Sequence, residues 1–247
     1  MRRTLIALGL VLIASASFGK GTTVTFESLG GKGSGYLVEP SGKGKHPGLI
    51  VIQEWWGLND WVRDQAERYA SQGYVALAPD LYRGKVATTP EVAHELMRGM
   101  PQDRAMADLK AAFNYLASRK DVDANHIGVI GWCMGGGFAL DLTLAEPQVA
   151  ATVINYGHLV TDPASISKIH APLLGNFGGK DQGITPADVN AFATALKKDG
   201  KKFDIKVYHD AGHAFMNPNN KGGYVKADAE DAQKRIDRFL RGTLKRT

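Results

Sequence analysis

The amino-acid sequence predicts an α/β protein built on a mostly parallel sheet with helices against both faces. Three observations carry this. Short apolar runs at residues 48–52, 73–78, 127–132, 150–156, 171–177 and 203–208 suit strands buried on both sides, as parallel sheets require. Segments with apolar residues at helical spacing alternate with them, which implies right-handed crossovers and helices on both faces. The third is the stretch I-G-V-I-G-W-C-M-G-G-G from Ile127 to Gly137, where an apolar run breaks at glycines and an apolar, Ala-containing segment follows. That reads as strand, sharp turn, helix. At 247 residues and 44% hydrophobic, the chain buries one substantial core, and residues 20–247 are expected to form a single domain without repeats or linkers.

The ends and the charge narrow the function classes. Met1-Arg2-Arg3, an apolar run over 5–14 and the small residues Ala14-Ser15-Ala16 follow the order of a secretory signal peptide, cleaved after Ala16 or Gly19. The run falls short of the ~20 residues a spanning helix needs, so no stable membrane anchor is expected. The mature protein is thus expected in a periplasm or outside the cell, as a monomer. One cysteine excludes an internal disulfide, and a lone exported thiol needs a chemical reason. The net charge of +5 comes from dispersed lysines without an aromatic and basic motif, so nucleic acid is not an expected partner.

Taken in order, residues 22–28 and 35–38 read as a hairpin around the loop 29–34. No helix follows its glycines, so it is not a phosphate cradle. The strand at 48–52 ends in Gln53-Glu54-Trp55-Trp56-Gly57-Leu58-Asn59, and helical spacing resumes toward Tyr69. A carboxylate leaving a buried strand is costly unless paired, which makes Glu54 a candidate; an ordinary loop with two packing tryptophans explains the same residues. The strand at 73–78 closes with Pro79-Asp80-Leu81-Tyr82-Arg83, followed by helical patterns at 89–100 and 101–120. There His94-Glu95 is followed by Arg98 where a zinc motif needs a second histidine, so no metal is expected. The strand at 150–156 leads to Gly157-His158, and the one at 171–177 ends in Gly178-Gly179-Lys180-Asp181-Gln182. Leu174 and Asp181 stand where a P-loop needs glycine and Ser or Thr, so neither nucleotide nor other cofactor is expected. A helix at 186–198, a strand at 203–208, the loop 210–215 and a helix at 224–240 complete the chain.

Gly-x-Cys-x-Gly between strand and helix has the shape of a nucleophile elbow with sulfur in place of oxygen. The competing reading is a small buried cysteine beside a close helix contact. In open parallel sheets the ligand crevice lies beyond the carboxyl ends of the strands, which brings Glu54, Cys133, Asp181 and His213 to one rim. Their chain order of nucleophile, acid and histidine is that of the α/β-hydrolase architecture. Cys133 would attack, His213 would take the thiol proton and later activate water, and Asp181 would hold the imidazole. The N–H of Met134 and one near Trp55 would form the oxyanion hole. Asp210 competes with Asp181 for the acid, and His158, His170 and His209 with His213 for the base.

The motifs Q-E-W-W-G-L-N, P-D-L-Y, G-W-C-M-G-G, G-G-K-D and A-G-H-A-F, in this order, resemble those of the dienelactone hydrolase (carboxymethylenebutenolidase) family. The resemblance runs from about Thr22 to the last helix. It implies an α/β-hydrolase fold and a triad of Cys133, His213 and Asp181. It further implies that Glu54 holds the resting cysteine as a neutral thiol until substrate displaces it, and that Tyr82, Trp56 and Phe215 lie at the substrate. Dienelactone-specific members bind the substrate carboxylate with arginines. One of those positions is Asn217 here, and the other is nearest to Arg83, offset by one. The expected function is therefore hydrolysis of lactones or small activated esters through an acyl-cysteine. The alternatives are a strict carboxymethylenebutenolidase and a non-catalytic binding protein on the same scaffold.

Overall fold

The computed structural model describes residues 20–29 and 31–245; the expected signal peptide lies outside the described residues. Eight strands form one sheet: β1 (Thr22–Ser28), β2 (Gly31–Val38), β3 (His46–Ile52), β4 (Val75–Pro79), β5 (Val122–Trp132), β6 (Ala151–Asn155), β7 (Leu173–Gly178) and β8 (Phe203–Tyr208). Their order is β1-β2-β4-β3-β5-β6-β7-β8. β1 and β2 run antiparallel to their neighbours, and every pair from β4 to β8 is parallel.

The helices are α1 (Asp60–Ser71), α2 (Pro90–Gly99), α3 (Gln102–Ser118), α4 (Met134–Ala145), α5 (Pro163–Ile166), α6 (Pro186–Lys198) and α7 (Lys226–Leu244). Local chemistry sets their starts. Asn59 Oδ1 accepts from the N–H of Val62 at the head of α1. Thr185 and Asp188 exchange hydrogen bonds in a full capping box at α6.

Period-two alternation divides the core between the two faces. Leu49 and Val51 of β3 pack with Trp61 and Tyr69 of α1 and Ile236 and Leu240 of α7. Ile50 and Ile52 turn the other way, toward Leu109 and Phe113 of α3 and Phe138 of α4. A third cluster joins Leu140 of α4 to Phe177 of β7 and Phe192 of α6. Each such side chain, fully buried, is worth ~1.5–3 kcal/mol, so the helices are held by their apolar faces.

Some expectations change; β5 begins at Val122 rather than 127, and α7 runs on to Leu244. β2 begins at Gly31 rather than residue 35, because residues 31–34 pair with Thr25–Ser28. Gly33 suits this, since the Phe26 ring lies over it and a Cβ there would come within 2.5 Å of Phe26 Cε2. α5 was not expected; Asp162 caps it by accepting from the N–H of Ser165.

Candidate active site

β5 delivers Cys133 to the C-terminal rim of the sheet in an unusual backbone conformation, with φ +54 and ψ −120. For a residue with a Cβ this region costs ~1–3 kcal/mol, and the surroundings must hold it. They do so through backbone. The N–H of Cys133 donates to the carbonyl of Asn155 at 3.0 Å, and its carbonyl accepts from the N–H of Gly136 at 3.0 Å. The glycines let α4 approach the sheet at backbone distance. A Cβ on Gly131 would lie 1.9 Å from the carbonyl oxygen of Gly135, and one on Gly135 would lie 2.4 Å from that of Gln53. The Gly-x-Cys-x-Gly spacing is thus a packing requirement as well as a turn.

A buried polar ladder braces the elbow from behind. Asn155 Nδ2 donates to the carbonyl of Gly131 at 3.0 Å, Asn176 Nδ2 donates to Asn155 Oδ1 at 2.8 Å, and Arg235 donates to Asn176 Oδ1. Both asparagines are fully buried. Sequence reasoning missed them; the signal was a single Asn inside each of two otherwise apolar strands.

The acid and the histidine meet at the same rim. Asp181 Oδ2 accepts from His213 Nδ1 at 2.7 Å, while Oδ1 accepts from the N–H groups of Gly183 at 2.8 Å and Ile184 at 3.1 Å. Burial favours the neutral acid, but these hydrogen bonds outweigh it and hold the Asp181 carboxyl below the usual range. For His213, burial disfavours charge, yet the bond to Asp181 and then the one to Cys133 push its pKa up to about 10. Asp210 is exposed and paired with Lys180 at 2.9 Å and His209 at 3.2 Å, so it serves neither His213 nor the cavity. His158, His170 and His209 are all exposed.

Glu54 is buried at the end of β3. Its Oε2 accepts from Asn217 Nδ2 at 2.6 Å, and Oε1 accepts from the Tyr156 hydroxyl at 3.4 Å. Its hydrogen bonds are therefore made to these two side chains rather than to the sulfur of Cys133. Burial pushes its pKa from 4.5 up to about 7 against the pull of Asn217, His213 and Tyr156.

Glu54, Trp55, Trp56, Cys133, Asp181, His213 and Asn217 all line one cavity of about 1070 Å³. Met134 heads α4, where the first N–H groups have no intrahelical partner and the positive end of the helix dipole faces the sulfur. Three other expected contacts lie elsewhere. Arg83 is bound to Asp108 at 2.7 Å and faces the β1–β2 side, with β3 standing between β4 and the elbow strand β5. Tyr82 is buried and donates to the carbonyl of Trp55 at 3.0 Å, so it fixes the peptide beside the cavity without lining it. Phe215 is fully buried between Tyr156 and Tyr208. Among the described residues, no group of three or more His, Cys, Asp or Glu side chains is placed to hold a metal, and no helix is long and apolar enough to cross a membrane.

This sheet order, with a positive-φ elbow after β5 and an acid and a histidine after β7 and β8, defines the α/β-hydrolase class. Within that class the chain belongs to the dienelactone hydrolase family, whose family model matches residues 34–244. It is 33% identical over 220 residues to a Methylorubrum extorquens protein named "Putative carboxymethylenebutenolidase", covering 83% of this chain and 75% of that one. A Salmonella typhimurium protein of the same name is 35% identical over 216 residues, covering 81% and 79%. The solved structure of m3DLH superposes with a TM-score of 0.82 at 26% identity, covering 92% of this chain and 100% of that one. The chain is a dienelactone hydrolase-like hydrolase acting on a small molecule.

Proposed function

We propose that this hydrolase cleaves lactones or small activated esters through an acyl-cysteine intermediate. The observation that carries the reading is Cys133 held on a strained elbow in the same cavity as a His213 already locked to Asp181. His213 takes the thiol proton, and the sulfur adds to the ester carbonyl carbon. The N–H groups of Met134 and Trp55 hold the resulting oxyanion, a contribution worth ~3–4 kcal/mol in comparable sites. Collapse breaks the bond to the alkoxy oxygen, which leaves with the proton from His213. In the thioester the Cys133 contribution to the basicity of His213 is gone. The imidazole then deprotonates water, which attacks the acyl carbon; the carbon–sulfur bond breaks, and the thiol re-forms as the acid departs.

Asn217 beside Glu54 favours uncharged esters over dienelactone, because a substrate carboxylate would meet another carboxyl and an amide. Turnover of a dienelactone against neutral aryl esters separates the two. If Cys133→Ala and His213→Ala leave hydrolysis unchanged, the acyl-cysteine reading falls; if the wild-type protein turns over neither ester nor lactone, a binding role replaces it. The reading extends to one domain over residues 20–247 and to a monomer exported after cleavage near Ala16 or Gly19. N-terminal sequencing and light scattering of the mature protein check these points.

A further inference from the structure

We infer that the cavity takes uncharged esters bearing an extended apolar group, aryl or medium-chain alkyl, laid along a wall of Trp55, Trp56, Ala87 and Met97. The inference rests on the hydrolase reading above and adds the substrate class. A volume of about 1070 Å³ is at the top of the ~300–1,000 Å³ range of pockets for drug-sized ligands, far more than a small lactone fills. The space is also two-sided. Lys180, Gln182, Asn219, Asn220 and Lys221 form a polar wall, and the tryptophans with Ala87 and Met97 form an apolar one.

The apolar wall is a built feature. Trp55 and Trp56 stand edge to face at 5.2 Å, and His94 of α2 sits edge-on to Trp55 at 4.9 Å. Both tryptophans are only half-buried, so a large apolar area faces the cavity without a protein partner. The segment after β4 is fastened to the tryptophan loop by the Gly57–Val86 bridge and by Ala87, whose N–H donates to the carbonyl of Trp56 at 2.9 Å. Gly57 permits this approach, since a Cβ there would come 2.7 Å from the carbonyl oxygen of Lys85 at a φ of +93. α2 then splits its two sides: Ala93 is buried toward the core, while His94 and Met97, three residues apart, roof the cavity.

Charge argues for an uncharged ligand. Glu54 and Asp181 line the same cavity as Cys133, and His213 is committed to Asp181. Of the two lysines at the cavity, Lys180 is exposed and tied to Asp210, and Lys221 is exposed at the rim. A carboxylate on the apolar group would therefore be stripped of water without a buried cation to receive it.

The test is a pair of homologous series assayed by pH-stat: methyl esters of straight-chain acids from acetate to octanoate, and alkyl acetates from methyl to octyl. One series is expected to climb in kcat/KM by about two- to fourfold per methylene. Monomethyl suberate is expected to react at least about tenfold less efficiently than methyl octanoate. Trp56→Ala and Met97→Ala are each expected to lower the long-to-short ratio by about tenfold. Two flat series with hydrolysis that still requires Cys133 overturn the inference alone, and so does equal turnover of monomethyl suberate. Hydrolysis that survives Cys133→Ala overturns the acyl-cysteine reading instead. The wild-type slope needs no variant, so a misfolded substitution does not blunt the test.

Discussion

Glu54→Gln measures how far burial governs the carboxyl at the heart of the site. Glu54 is 2% exposed, and its partners are an amide and a phenol rather than a guanidinium or ammonium group. Burial takes its pKa from 4.5 to about 7. A folded value above the unfolded one means that the folded chain binds the proton more tightly. The stabilisation is therefore complete below about 4.5 and is lost as pH rises through about 7. The difference between those values, at ~1.36 kcal/mol for each pH unit, amounts to ~3 kcal/mol. Glutamine copies the neutral form: its oxygen accepts from Asn217, and its amide can donate to the Tyr156 oxygen. Urea unfolding at pH 5 and pH 8 should show the variant gaining ~3 kcal/mol over wild type between the two pH values, with the slope against urea unchanged. An identical difference at both pH values would refute the claim that burial dominates Glu54.

Four further outcomes follow from the same geometry. Cys133→Gly is expected to be more stable than Cys133→Ala by ~1–2 kcal/mol, the reverse of the usual preference, because only glycine accepts φ +54 at ψ −120 without strain; equal melting curves would count against a strained elbow. Asp181→Asn should lower kcat/KM on the order of 10²- to 10⁴-fold and bring the His213 pKa down from about 10, read by imidazole NMR; an unmoved imidazole would mean that Asp181 does not hold it. Gly135→Ala places a Cβ 2.4 Å and 2.5 Å from the carbonyl oxygens of Gln53 and Ile52, neither of which can yield, so a loss of ~4 kcal/mol or more is expected in thermal or urea unfolding. Because Glu54 bonds Asn217 and Tyr156, Glu54→Gln should leave peroxide oxidation of Cys133 within about twofold of wild type; a several-fold rise would restore the resting latch implied by the family resemblance.

The sequence by itself determined what depends on neighbours along the chain. α6 and β8 lie where residues 186–198 and 203–208 predict them, because a capping Thr185, a proline at the first helical position and a period-two apolar run are local signals. The nucleophile, acid and histidine order was legible for the same reason: each follows a strand that can be read on its own. Tertiary structure decided the rest. Residues 31–34 became strand only because Phe26 and β1 lie across from them. Asp181, favoured over Asp210 by its place after a separate strand, meets His213, and tertiary structure supplies the means: the loop after β7 turns its carboxylate inward onto the N–H groups of Gly183 and Ile184, while Asp210 pairs with Lys180. Arg83 went to Asp108 and Tyr82 to the carbonyl of Trp55, contacts between residues far apart in the chain that no local pattern announces. Periodicity records which face of an element is apolar, whereas pairing partners across the sheet are set by packing between segments far apart in the chain, and the side chains around Cys133 are sorted by that packing.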